Sequence, residues 1–326
     1  MNRLTVSKLI ALVIGFICIF FAYNYNKSAT YKISGPIYGT YWQLVSTEYI
    51  PDGLKKSIED ELSRIDLIAS NYKKDSELSR INTAPVNQKI LISSEMYSLL
   101  SFAENLFEIT NGYYDVTLGS LVIQKGFGPE KAMVENTIPV SVKRFDLISN
   151  NGLIKNDNFQ FDLSSIAKGY AVDKIAKLLI KLNRNNFLFD IGGEIITNGS
   201  KHGTPWSIGI QNPSNIRSQS IMEISSPDFL AVATSGEYRN QKINENGDLV
   251  SHTFVPKTKL SIADKSYSVT VASDKSSMIA DAWATALNAL GPERGVSLAN
   301  DNNVAVMYIM QNENIIIKSN SWNYND

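Results

Sequence analysis

Apolar residues recur along this chain with two periods, and the switches between them outline its elements. Leu54, Ile58, Leu62 and Ile65 fall on one face of a helix that Pro51-Asp52 opens. Met96, Leu99, Leu100, Ala103, Leu106 and Phe107 mark a second helix, capped by Ser94 and ended by Asn111-Gly112. Ile166, Tyr170, Ala171, Ile175, Leu178, Leu179 and Leu182 mark a third, and residues 277–290, stopped by Gly291-Pro292, a fourth. Extended, alternating patterns predict strands over 37–50, on either side of Gly192-Gly193 within 187–196, and at 206–210, 221–224, 229–233, 267–271, 304–309 and 315–318. Two short extended runs within 147–163 flank Asn156-Asp157-Asn158 as a hairpin-like turn. Residues 70–82 read as a polar loop and 24–34 as a polar tether. Strands and helices do not alternate regularly, so the expected class is α+β rather than a doubly wound sheet.

The N-terminus has its own pattern. Arg3 and Lys8 precede a run without charge from Leu9 to Tyr23, the layout of a signal peptide. Positive charge at the start keeps it cytoplasmic and exports the rest. The residues after Ala22 lack a small-x-small cleavage pattern, and the surroundings of Cys18 are a poor lipidation signal. An uncleaved anchor is therefore expected, although the run is short for a membrane crossing. Residues 1–28 are then a signal or anchor segment with its tether, and 29–326 form one domain.

Composition narrows the chemistry. Hydrophobic residues make up 44% of the 326 and charged ones 19%, enough for a sizeable core and against global disorder. A net charge of -1 without a basic face argues against nucleic-acid binding. Cys18 is the one cysteine and lies in the N-terminal run, so the body has no disulfide and no thiolate nucleophile. His202 and His252 are the only histidines, which excludes a three-histidine zinc centre. A metal here would be a hard cation held by oxygen.

Several positions carry candidate chemistry. Lys168 and Gly169 open the third helix against local preference, because a cation in the first turn opposes the macrodipole and glycine weakens a helix. An anionic ligand resolves both: free N–H groups and the lysine would bind it, and the glycine would leave room for it. Asp281 and Thr285 share a helix face and suit Mg²⁺, or are a dipole-favoured acid and a hydroxyl bonded to its own helix. Asp162 either holds a ligand hydroxyl or caps the helix. Gly192-Gly193 marks a bulge or a close backbone approach. His252 is suited to proton transfer or is structural. Tyr72, Tyr113, Tyr114 and Asp115 could stand against a ring system, or pack.

Together these segments resemble the ApbE family of FAD:protein FMN transferases. YGTYWQLV (38–45) looks like its M-G-T-x-Y/W start, and SNYKKDSELSRIN (70–82) its S-x-Y/W-x-x-x-S segment. NGYYDVTLGSLV (111–122), DLSSIAKGYAVDKIA (162–176), residues 188–194 with their G-G-D/E turn, ATSGEYRN (233–240) and DAWATALNALGPERG (281–295) follow in family order. One segment departs. HTFVPKTK (252–259) keeps His252, Pro256 and Thr258, but Val255 replaces an acid or amide and Lys259 replaces glycine, so an altered loop is expected there.

The resemblance implies an ApbE-like, T-fold-like, two-lobed α+β domain with an FAD site between the lobes. It implies FAD as substrate and Mg²⁺ as cofactor. Metal ligands would be Asp281, Thr285 and the main-chain carbonyl of Ser165. FAD contacts would be Tyr38, Tyr72, Tyr114, Asp115, Asp162, Lys168 and Phe254, with His252, Lys168 and Asp281 as the catalytic set. The implied reaction moves FMN from FAD to a Thr or Ser hydroxyl of an exported acceptor, such as an Rnf- or Nqr-type subunit or an extracytoplasmic reductase, and releases AMP. The expected location is the periplasmic side of the inner membrane. Two other readings compete: a Mg²⁺-dependent FAD pyrophosphatase, and a non-catalytic flavin-binding or trafficking protein.

Overall fold

The computed structural model describes residues 3–128, 143–214, 220–236, 241–243, 249–251, 253–262, 267–311 and 315–324. In chain order these form α1 (Arg3–Lys27), β1 (Tyr31–Ile37), β2 (Thr40–Ser46), α2 (Leu54–Ala69), α3 (Glu77–Thr83), β3 (Lys89–Leu91), α4 (Ser94–Ile109) and α5 (Gly119–Gln124). Next come β4 (Phe145–Ile148), β5 (Gly152–Lys155), α6 (Ala167–Lys181), β6 (Phe187–Ile191), β7 (Glu194–Asn198), β8 (Ser200–Lys201), β9 (Thr204–Ile210), β10 (Met222–Ser226) and β11 (Phe229–Gly236). The chain continues through β12 (Gln241–Ile243), β13 (Leu249–Ser251), β14 (Tyr267–Ser273), α7 (Ser277–Leu290), α8 (Pro292–Asp301), β15 (Ala305–Met310) and β16 (Ile316–Lys318).

Eight strands make one antiparallel sheet in the order β1-β2-β6-β7-β11-β14-β15-β16. Its central strands are apolar on both faces, and the period of two divides the faces between two cores. Ala231 and Ala233 of β11 join the helices' core with Ile58, Leu62, Ile175, Leu179 and Leu287. Leu230 and Val232 face the other way, onto Ile208, Ile210 and Ile224 of the three-stranded sheet β10-β9-β8. Burying a Leu or Ile side chain contributes about 1.5–3 kcal/mol, so the helix-bearing face fixes the positions of α6 and α7.

The α+β class and most elements agree with the periodicities, with instructive exceptions. The tether ends early, since α1 runs to Lys27 and Tyr31 already pairs with Ser46. The predicted strand 37–50 is half of a hairpin, turned by Tyr38-Gly39, both with positive φ. The polar loop 70–82 closes with α3, whose Ser76 side chain accepts from Ser79 N–H. Ser93, one residue earlier than expected, caps α4. The turn of the small hairpin is Asn150-Asn151, both left-handed, because asparagine tolerates positive φ; the expected Asn156–Asn158 turn follows β5 instead. Pro292 stops α7 and also opens α8.

In α1, Leu9, Phe16 and Ile19 are more than half exposed. Among the described residues no helix is long and apolar enough to cross a membrane.

Candidate functional site

A cleft of about 990 Å³ opens where the starts of α6 and α7 approach the β6–β7 turn and the loops after α2 and α4. Of the eleven residues singled out as site candidates, ten line it: Tyr38, Tyr72, Tyr114, Asp115, Asp162, Ser165, Lys168, Phe254, Asp281 and Thr285. His252 lies outside the described residues.

The floor is built by two helices that come unusually close. A Cβ on Gly169 would sit 2.5 Å from the Ser277 carbonyl oxygen and 2.7 Å from the Met278 Cα, so only glycine lets α6 meet α7 here. Asp173, one turn further along α6, then binds the start of α7, its carboxylate accepting from Ser276 Oγ (2.5 Å), Ser277 N–H (2.7 Å) and Met278 N–H (3.1 Å). This changes the reading of the helix start. Gly169 does not make room for an anion; its space is filled by α7, and its N–H donates to Asp281 Oδ2 at 3.0 Å. Lys168 remains at the cleft, its Nζ 2.6 Å from Glu194 Oε1.

Glu194 is the residue that the sequence reading left out of the site. Gly192 and Gly193 have φ of 62° and 109°, so they form the tight turn between β6 and β7 rather than a bulge. Asp190 Oδ1 accepts from Gly193 N–H at 2.8 Å and fixes that turn. The next residue, Glu194, therefore enters the cleft floor, where it is 4% exposed. The acid after the Gly-Gly pair was the available signal. Burial pushes the Glu194 carboxyl up, against the pull of Lys168. Burial, and then the Glu194 charge, push Asp281 up as well.

The walls are aromatic and polar. The Tyr114 hydroxyl meets Ser165 Oγ at 2.9 Å, and burial pushes its phenol up. Asp115 Oδ1 accepts from Thr117 N–H and Oγ1 at 2.8 and 2.7 Å. Asp162 Oδ1 accepts from Ser164 N–H at 2.8 Å, before the helix, and α6 starts without a side-chain cap, so Asp162 is not its N-cap. Tyr38 donates to the Leu62 carbonyl at 2.8 Å. Tyr72, with its ring 67% exposed, donates to the Phe127 carbonyl at 2.9 Å, and Phe127 packs edge-on against Phe254. At the mouth, Lys257 Nζ lies 4.8 Å and Arg294 Cζ 4.9 Å from the Tyr113 ring centre.

The departing segment keeps a defined turn. The Val255 carbonyl accepts from Thr258 N–H and Lys259 N–H, at 3.1 and 2.8 Å. Lys259 holds φ of 57°, the left-handed region that glycine enters freely. The loop therefore forms with the lysine carrying the strain.

The donors present suit a hard cation with few protein ligands. Asp281 and Thr285 lie one turn apart on α7, Ser165 stands across the cleft, and Glu194 Oε2 is buried with no hydrogen-bond partner among the described residues. Among those residues there is no group of three or more His, Cys, Asp or Glu arranged to hold a metal. Mg²⁺ commonly uses one or two carboxylates and leaves positions for phosphate and water.

Comparison with known proteins agrees with this architecture. The ApbE family model matches residues 38–308. The chain is 35% identical over 295 residues to a protein of Vibrio cholerae named FAD:protein FMN transferase, covering 86% of this chain and 87% of that one. A protein of the same name from Haemophilus influenzae is 33% identical over 320 residues, covering 91% of both. Among solved structures, the flavin transferase ApbE from Vibrio cholerae superposes with a TM-score of 0.78 at 32% identity, covering 90% of this chain and 98% of that one. The ApbE protein of Thermotoga maritima shares the fold, with a TM-score of 0.79 at 23% identity over 90% of this chain and 98% of its own. The chain belongs to the ApbE family.

Proposed function

We propose that this ApbE-family chain is an FAD:protein FMN transferase, and that the cleft holds FAD with Mg²⁺. The observation that carries the reading is the convergence of ten scattered candidate residues on one cleft, in a chain related throughout its domain to proteins of that name. The aromatic side chains of Tyr38, Tyr72 and Phe254 offer faces and edges to the flavin ring system. Lys168 binds the diphosphate. Asp281, Thr285 and the Ser165 carbonyl would hold Mg²⁺. Bound there, the ion supplies charge neutralisation to the diphosphate.

The acceptor is a Thr or Ser hydroxyl. Its oxygen bonds to the FMN phosphorus, the bond from that phosphorus to the bridging oxygen breaks, and AMP leaves with the electron pair. His252 takes the hydroxyl proton. The chain's contribution is mainly positioning and electrostatics, as in other phosphoryl-type transfers. The domain works outside the cytoplasm, held at the membrane by its N-terminal segment. Arg3, Lys8 and the uncharged run after them support that placement.

The test is incubation with FAD, Mg²⁺ and an acceptor carrying a D-x-S/T-G-A-S/T-type site. Covalently yellow acceptor with one AMP per flavin is the expected outcome. AMP and FMN without flavinylated acceptor would make the protein a pyrophosphatase, and bound FAD with neither product a carrier. Fusing residues 1–28 to a phosphatase that is active only after export checks the location.

A further inference from the structure

We propose that Glu194 is the counter-charge of the cation that loads this cleft, and that it holds Lys168 in reserve until that cation arrives. The proposal rests on the reading of the cleft as an FAD and Mg²⁺ site.

Three observations carry it. First, the two oxygens of Glu194 are unequal. Oε1 takes the Lys168 ammonium at 2.6 Å, while Oε2 is buried with no hydrogen-bond partner among the described residues. A carboxylate that is 4% exposed and half-satisfied is an unfinished arrangement. Second, the charges on the floor do not balance. Among the described residues Glu194 and Asp281 are two buried carboxylates side by side, and Lys168 is the cation paired with Glu194. Like charges held together in a poorly solvated site repel strongly, and a divalent cation relieves that repulsion. Third, the placement of Glu194 is fixed by backbone. The Gly192-Gly193 turn, tied by Asp190, sets Glu194 at the start of β7 against the cleft floor, where its side chain is buried.

A diphosphate brings further negative charge. Alone, it must compete with Glu194 for Lys168 and overcome both carboxylates. With a divalent cation present, Glu194 and Asp281 are neutralised and Lys168 is released to the diphosphate. Cation and FAD therefore bind cooperatively, each raising the other's affinity by the same factor. Glu194 is a positioning residue in this scheme: it acts through Lys168 and the cation.

The test uses the full chain and equilibrium binding. FAD affinity is read from quenching of flavin fluorescence, in EDTA and in saturating Mg²⁺, and Mg²⁺ affinity from titration calorimetry. In the wild type, Mg²⁺ tightens FAD binding about tenfold or more. In Glu194→Gln, binding in EDTA tightens about threefold because Lys168 is freed, Mg²⁺ binding weakens about tenfold, and the coupling falls below about threefold. Glu194→Asp keeps the charge and retains most of the coupling. A merely structural glutamate would weaken both ligands together, and that result, or full coupling in Glu194→Gln, overturns the proposal. If Glu194→Gln fails to fold, Lys168→Met decides: Mg²⁺ binding as tight as in the wild type or tighter supports the proposal, and weaker binding overturns it. A wild-type chain that does not bind FAD under any of these conditions overturns the functional reading itself, along with this one.

Discussion

Helix α6 carries two charge clusters of opposite character. From its first turn, Lys168 reaches Glu194 beside Asp281, one cation for two buried carboxylates. From the other side of the same helix, Tyr170 and, one turn on, Lys174 reach Glu95, which also receives Arg64. In the Glu95 cluster two cations, Arg64 and Lys174, meet two carboxylates, Glu95 and Glu61. Hydrogen bonding from Arg64, then Lys174 and Tyr170, holds its carboxyl down to about 2. Among the described residues the Glu194 cluster has one cation for two carboxylates, and burial holds its carboxyls up. Charges arranged for stability are balanced within the fold. Charges arranged for a ligand are left to be balanced by it.

The largest expected effect separates the two clusters directly. Asp281→Ala should lower FMN transfer about a thousandfold, measured by flavinylated acceptor, since it removes a ligand of the proposed Mg²⁺. The urea midpoint should change by the equivalent of less than about 1 kcal/mol, because a repelled carboxylate leaves along with the hydrogen bond from Gly169. A large loss of stability would erase the distinction.

Next is the contact that sets where the deficient cluster sits. Gly169→Ala should destabilise by about 2 kcal/mol in urea unfolding, because its Cβ would meet Ser277 and Met278 backbone atoms at 2.5–2.7 Å. Alanine's preference for helices, about 1 kcal/mol, works in the opposite direction and does not offset this. Unchanged stability would mean the two helices can part without cost.

The balanced cluster is tested with acid. Glu95 titrates lower in the folded chain than its ordinary 4.5, so its contribution is complete above about that pH and is lost as pH falls toward 2. Glu95→Gln should therefore flatten the loss of stability across that window, measured as urea midpoint against pH. A profile as steep as the wild type's would show that the cluster contributes little.

The smallest effect concerns the departing loop. Lys259→Gly should stabilise by about 0.5 kcal/mol, because relief of the left-handed strain slightly exceeds the added entropy of the unfolded chain. A thermal melt that moves downward would mean that the lysine side chain compensates the strain through its own contacts.

The same contrast explains what could be read from the chain alone. Helix faces were legible because they repeat within a few residues: Leu54, Ile58, Leu62 and Ile65 are buried as their spacing predicts. The doubly apolar central strands were found because both faces of the sheet are covered. Short elements such as α3, α5 and β3 escaped because six or seven residues, or fewer, hold too little periodicity. The site was legible through its ordered segments, yet two local arguments needed correction. Gly169 was explained by a helix over one hundred residues away, and the acid after Gly192-Gly193 was passed over because nothing nearby marks it as buried.

By itself, then, the sequence determined the longer helices and most of the main-sheet strands, the α+β class, the family, and which residue types are available for chemistry. These follow from local periodicity and from motifs with fixed spacing. Tertiary structure decided which charges share one cleft, which of them is left half-satisfied, and why a glycine stands at the start of α6. Those depend on distances between residues far apart in the chain, and no local pattern encodes such distances.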